Sequence, residues 1–281
     1  MKHFWILLKG LAMGAADVVP GVSGGTVAYI TGIYQRLLDA IHAVGPEALQ
    51  AFKTDGLKGL WRAVDGPFLL ALGSGIALSI LSLSKLVLWG LEHYEPVVWG
   101  FFFGLIVGSI PLILKDVPKK AVAKTFPLLL IGIAIGAVLS FLSPTQATLS
   151  LPYIFLSGAL AICAMILPGI SGSFILVLLG AYEGILEGLH ARDWALIVTF
   201  MAGAGIGLLS FARLLRWLFA RFPTAMVLTM AGFIIGSLVK IWPFQSEYSS
   251  SVSPTWTIVA MVLGWLLVFG LNRWAKSLNA S

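Results

Sequence analysis

Two stretches of an otherwise apolar chain hold most of its candidate chemistry. Residues 19–34 read VPGVSGGTVAYITGIY, and residues 167–182 read LPGISGSFILVLLGAY. In each, a Pro-Gly pair (Pro20-Gly21, Pro168-Gly169) precedes a small hydroxyl- and glycine-rich cluster. The first cluster is Ser23, Gly24, Gly25 and Thr26, and the second is Ser171, Gly172 and Ser173. Proline removes a backbone donor and interrupts a helix. A serine placed just after the break suits the N-cap of the helix that restarts. Glycine lets a ligand approach the backbone closely. Freed N–H groups and the positive end of the new helix dipole together favour an anion such as phosphate. The bland alternative is that these residues only allow kinks and tight helix packing. Two copies of the pattern weigh towards a binding site.

Charged residues inside the apolar runs are the next candidates, because charge is costly there and is commonly functional. Asp17 is the sole carboxylate deep in either segment, and its partner 148 positions on is Met165. That asymmetry is what coupling to a proton or sodium ion, or gating, would require; the alternative is a structural cap for the broken backbone. Lys85 matches Arg213 at an offset of 128. A phosphate in a low-dielectric site needs neutralisation, and arginine can hold it bidentately. Snorkelling of both side chains to the interface is the competing reading. Tyr34 and Tyr182 are read as interfacial anchors, and Glu183 and Glu187 as a solvated face. His42, His93 and His190 are expected in loops, without metal-ligand spacing. No Ser-His-Asp set, HExxH or Walker loop occurs. No metal, no cofactor and no catalytic chemistry are expected.

The elements that must position these residues follow from composition. Of 281 residues, 59% are hydrophobic and 11% charged, against about 25% charged in soluble domains. So few charges cannot cover a water-exposed surface, and the chain reads as a polytopic membrane protein. Disorder, nucleic-acid readout and a cytosolic enzyme are excluded as classes. The net charge of +6 then reflects loops facing anionic lipid. The single Cys163 excludes an internal disulfide.

Six runs are long enough to span, at about 68–91, 97–114, 126–143, 194–218, 224–242 and 256–271. Two more, about 4–38 and 152–190, are broken by the Pro-Gly pairs. The breaks belong to an internal repeat. At offset 148, Gly10/Gly158, Ala16/Ala164, Pro20/Pro168, Gly21/Gly169, Ser23/Ser171, Gly24/Gly172, Gly32/Gly180 and Tyr34/Tyr182 are identical. Later parts match near offset 128, including Trp89/Trp217, Gly104/Gly232, Gly108/Gly236, Ser109/Ser237 and Gly136/Gly264.

Charge decides between spans and re-entrant hairpins. If both broken segments re-enter, one face collects 15 of the 18 Lys and Arg, leaving Lys85, Arg192 and Lys240 opposite. If both cross, the division is 10 against 8. Hairpins are therefore expected, with both termini cytoplasmic. The expected fold is an all-α polytopic membrane protein of two inverted-topology repeats, 1–147 and 148–281, each a re-entrant helical hairpin plus three transmembrane helices. Inverted repeats whose broken helices meet near mid-membrane are a transporter architecture.

The segments GLAMGAADVVPGVSGGTVAYITGIY (10–34) and CAMILPGISGSFILVLLGAY (163–182) resemble the bacterial polyprenyl-phosphate transporter family, over essentially the whole chain. The resemblance implies that the lipid carrier undecaprenyl phosphate is returned from the outer to the cytoplasmic leaflet of the inner membrane for envelope synthesis. It implies a phosphate site at Asp17, Pro20, Gly21, Ser23, Gly24, Gly25 and Thr26, with Pro168, Gly169, Ser171, Gly172 and Ser173. The implied partners are undecaprenyl phosphate, membrane lipids and a coupling proton or sodium ion. Nucleic acid is not among them, and GxxxG-like pairs such as Gly104/Gly108 permit a homo-oligomer. The rival class is a channel or secondary carrier for a small anion.

Overall fold

The computed structural model describes residues 2–18, 23–115, 117–144, 148–245 and 253–279. Pro20 and Gly21 lie outside them. The described residues form helices joined by turns and short loops, without a strand. In chain order the helices are α1 (Lys2–Val18), α2 (Gly24–Ile30), α3 (Tyr34–His42), α4 (Pro46–Ala63), α5 (Gly66–Leu114) and α6 (Lys119–Phe141). These are followed by α7 (Leu151–Ile166), α8 (Gly172–Leu178), α9 (Tyr182–His190), α10 (Trp194–Arg221), α11 (Pro223–Ser237) and α12 (Pro254–Asn279).

Three stretches are long and apolar enough to cross a membrane: Gly66–Leu83, Trp89–Leu114 and Trp194–Arg221. A fourth arises if α8 and α9, bent by 104°, count as one broken span. Shorter apolar helices cover Thr125–Phe141, Leu151–Ile166, Pro223–Ser237 and Pro254–Gly270. The chain is thus an all-α membrane protein. The expected runs 68–91 and 97–114 lie on one helix, α5, interrupted at Tyr94 (φ −138°, ψ 40°). The run 224–242 loses its helix after Ser237, where turns begin. His42, His93 and His190 sit on helices rather than in loops. Glu183 and Glu187 are exposed, as expected of a solvated face.

The short helices α2 and α8 end alike. Gly32 and Gly180 take φ +73° and +63°, the left-handed conformation that glycine adopts without a Cβ clash. Around them, Ile33 N donates to Ala28 O and Gly32 N to Tyr29 O; Ala181 N donates to Leu176 O and Gly180 N to Val177 O. Both are Schellman ends, and every partner is displaced by 148. After the turn, Tyr34 is 2% exposed, with Tyr29 and Phe219 ring centroids 5.4 and 5.8 Å away. This corrects its expected role as an interfacial anchor: the turn aims the ring inwards, against α10. Its counterpart Tyr182 is 38% exposed.

The chain forms two compact units. The first comprises Met1–Ile80 and Leu142–Pro223, and the second Leu81–Phe141 and Thr224–Ser281. Each sequence half therefore contributes to both. In the first unit, α1 packs on the start of α5 through Gly10 and Gly75, and α7 packs on α10 through Gly158 and Gly203. A Cβ at Gly10 would strike Leu72 O, and one at Gly158 would strike Phe200 O. A Cβ at Gly75 would strike Leu7 O, and one at Gly203 would strike Phe155 O. The two helix pairs touch through the same atoms at the same offsets.

In the second unit, α5 packs on α12 and α6 on α11. Gly104 abuts Met261 O and Gly264 abuts Phe101 O; Gly232 abuts Leu129 O and Gly132 abuts Thr229 O. Packing thus pairs Gly264 with Gly132 rather than with Gly136. The four-residue difference is close to one helical turn, which keeps both glycines on one face.

Candidate functional site

Residues that follow the first Pro-Gly pair meet the second within the first unit. Ser23 Oγ donates to Met165 O at 3.2 Å and approaches Leu167 O at 3.4 Å. In the other direction, Gly169 N donates to Thr26 Oγ1 at 2.8 Å. Gly169 has φ +88°, so a side chain there would be strained. Gly25 has no room for one: a Cβ would lie 2.5 Å from Ile166 O and 2.9 Å from Met165 O. Ser23, Thr26 and Ser171 are buried at 2%, 1% and 6% exposure. Polar hydroxyls and backbone are thus concentrated at one contact between two interrupted helices.

The two ends differ in charge. At α2, Ser23 is the N-cap and its Oγ accepts from Gly25 N at 3.1 Å. Asp17 Oδ1 accepts from Gly24 N at 2.7 Å. The carboxylate so occupies the end of α2 where an incoming anion would otherwise sit. At α8, Ser171 is again the N-cap but makes no side-chain cap bond, and its Oγ pairs with Ser173 Oγ at 2.9 Å. Met165 occupies the place of Asp17: a Cβ at Gly24 would meet Asp17 Oδ2 at 2.5 Å, and one at Gly172 would meet Met165 Cβ at 3.0 Å. The geometry is repeated while the chemistry is not.

Sequence reasoning passed over Lys9. Its Nζ donates to Thr31 O, the C-cap carbonyl of α2, at 2.7 Å. Helix α1 therefore sets a carboxylate against the start of α2 and an ammonium against its end, matching both poles of the dipole. In the second copy of the motif the equivalent carbonyl, Leu179 O, accepts from the neutral Tyr153 hydroxyl at 2.6 Å. The available signal was the repeat itself, since position 157 opposite Lys9 is serine.

Arg213, in the first unit, is exposed and donates to Val44 O at 3.4 Å, just past the end of α3. One turn on, Arg216 pairs with Asp39 of α3 at 2.7 Å. Both guanidinium groups tie α10 to α3 and the turn that follows it. Lys85 is exposed on the part of α5 that belongs to the second unit. Among the described residues no cluster of three or more His, Cys, Asp or Glu is arranged to hold a metal.

A family model described as undecaprenyl phosphate translocase-like matches residues 13–259. This chain belongs to that family. Within it, the Vibrio cholerae polyprenyl-phosphate transporter is 42% identical over 257 residues, covering 90% of this chain and 82% of the relative. The Staphylococcus aureus polyprenyl-phosphate transporter is 29% identical over 293 residues, covering 97% and 98%. No solved structure matches the chain. The translocase-like family is one of transporters, in line with the expected lack of catalytic chemistry.

Proposed function

We propose that the chain returns undecaprenyl phosphate from the outer to the cytoplasmic leaflet of the inner membrane, for reuse in cell-envelope synthesis. The observation that carries this reading is the contact of the two breaks, Ser23 Oγ with Met165 O and Gly169 N with Thr26 Oγ1. The proposed frame is a pair of inverted repeats, 1–147 and 148–281, each a re-entrant hairpin and three spans, with both termini cytoplasmic. The glycine contacts recurring at matched offsets support it.

As the hairpins part, the Ser23 hydroxyl and the Gly169 N–H, now donated across the contact, are the donors that a phosphate takes over. Charge-assisted bonds of this kind are about twice as strong as neutral ones. Thr26, Ser171 and Ser173 add hydroxyls, and Gly24, Gly25 and Gly172 keep the backbone approachable. The break at Pro168-Gly169 supplies freed backbone. Arg213 and Lys85 neutralise charge along the headgroup's route, and the prenyl tail stays in lipid. Alternating exposure of the site to the two sides completes the cycle.

Asp17 gives this cycle a coupling device. Its carboxylate and the phosphate compete for Gly24 N–H, so both cannot be held there as anions. A proton on Asp17 removes the repulsion and releases the donor, so that a proton travels with the phosphate. A sodium ion beside the carboxylate would act in the same sense.

The test is headgroup translocation of a labelled polyprenyl phosphate in proteoliposomes. Ser23→Ala and Arg213→Ala are expected to lose most of the activity. Wild-type rates in both would overturn the site. Flux of soluble phosphate without lipid translocation would favour the small-anion carrier instead.

A further inference from the structure

Helix α4 has no part in the site, yet its composition is distinctive. Its 18 residues carry Lys53, Lys58, Arg62, Glu47 and Asp55, too many charges for a span. Four of its large apolar side chains are nevertheless bare: Leu57 is 76% exposed, Leu49 56%, Trp61 46% and Phe52 44%. A solvated helix would not present four large apolar groups to water.

Gly56 (φ +62°, ψ −147°) divides α4 into two arms. Both acids precede the break; the arm after it, LKGLWRA (57–63), has two cations and no acid. On that arm Leu57 and Trp61 are four residues apart and so share a face, with Lys58 and Arg62 sharing the next one. The arm ends against a membrane span. A Cβ at Gly66, the first residue of the apolar Gly66–Leu83 stretch, would run into the Trp61 ring. Tryptophan flanking a span is typical of the membrane–water boundary. An apolar face beside a basic one, at the foot of a span, matches the chemistry of an anionic headgroup layer.

We propose that α4 lies in the headgroup layer of an anionic leaflet, with Leu57 and Trp61 at the acyl boundary and Lys58 and Arg62 on lipid phosphates. That this leaflet is the cytoplasmic one rests on the orientation proposed above. Immersion itself does not.

The full chain serves as the test, because Cys163 is its single cysteine. With Cys163→Ala as background, a fluorophore is attached at Leu57→Cys and the protein is reconstituted. Brominated phosphatidylcholine is expected to quench it more than aqueous iodide does. Brominated phosphatidylglycerol is expected to quench more strongly still, and Lys58→Gln with Arg62→Gln should bring the two lipids towards equal quenching. The expected loss of preference is about fivefold per cation. Quenching by iodide alone, or shielding from both lipid and iodide as at a protein contact, would overturn the proposal. Equal quenching by the two lipids in the unsubstituted arm would overturn its anionic part. Sidedness is read separately at Lys53→Cys with an impermeant thiol reagent, so a wrong orientation is told apart from a wrong immersion.

Discussion

Gly25→Ala tests whether the two breaks are in contact. The new methyl would lie 2.5 Å from Ile166 O and 2.9 Å from Met165 O, against about 3.5 Å for a relaxed contact. Both obstacles are backbone, so no rotamer change relieves them. The start of α2 and the end of α7 must separate by about 1 Å. The bond from Gly169 N to Thr26 Oγ1, now 2.8 Å, would then exceed the useful range of about 3.2 Å. Overpacking of this kind costs about 1–3 kcal/mol, and each lost interhelical bond adds about 0.6 kcal/mol. Alanine's better helix propensity returns about 1 kcal/mol. The net expectation is a loss of about 0.5–2.5 kcal/mol, seen as a lower melting temperature in detergent, with slower lipid translocation. Gly73→Ala and Gly205→Ala are the controls: both sites are helical and nothing lies within 4 Å of the added Cβ. They should be neutral or slightly stabilising. If Gly25→Ala behaves like these controls, the contact between the breaks is wrong.

Three further outcomes follow from named atoms. Translocation by the parent should speed up at lower pH; Asp17→Asn keeps an acceptor for Gly24 N and should fold like the parent but lack that acceleration, and Asp17→Met should also lose about 1 kcal/mol of stability, the worth of a cap, as read by thermal unfolding. Lys9→Met removes the bond to Thr31 O and should cost about 0.3–1 kcal/mol in the same assay. Tyr34→Phe removes a buried hydroxyl that has no partner among the described residues, so its melting temperature should stay level or rise; a clear fall would mean the hydroxyl is bonded.

Membrane character was legible because 59% hydrophobic residues and few charges leave no soluble alternative. The repeat of Gly32 at Gly180 was legible too, and both glycines take the left-handed turn that closes a short helix. The crossed packing of α5 with α12 and α6 with α11 was not, because glycines spaced by whole turns fit several registers. Charge placement was harder. Arg213 reads as a phosphate ligand from its position in an apolar run, but its end reaches Val44 at the close of α3, a partner far off in sequence. Lys9 was overlooked for the same reason: its acceptor, Thr31 O, is a backbone atom set by the turn at Gly32. Asp17 was visible as an asymmetry, and only three-dimensional proximity shows that it caps Gly24.

The central claim is that the phosphate passes where the two breaks meet. A polyprenyl phosphate bearing a photoreactive group beside its phosphate, reconstituted with the protein and mapped after illumination, tests it most directly. Labelling should concentrate in residues 17–26 and 163–174 and be displaced by unmodified polyprenyl phosphate. Displaceable labelling confined to other parts of the chain would contradict the account.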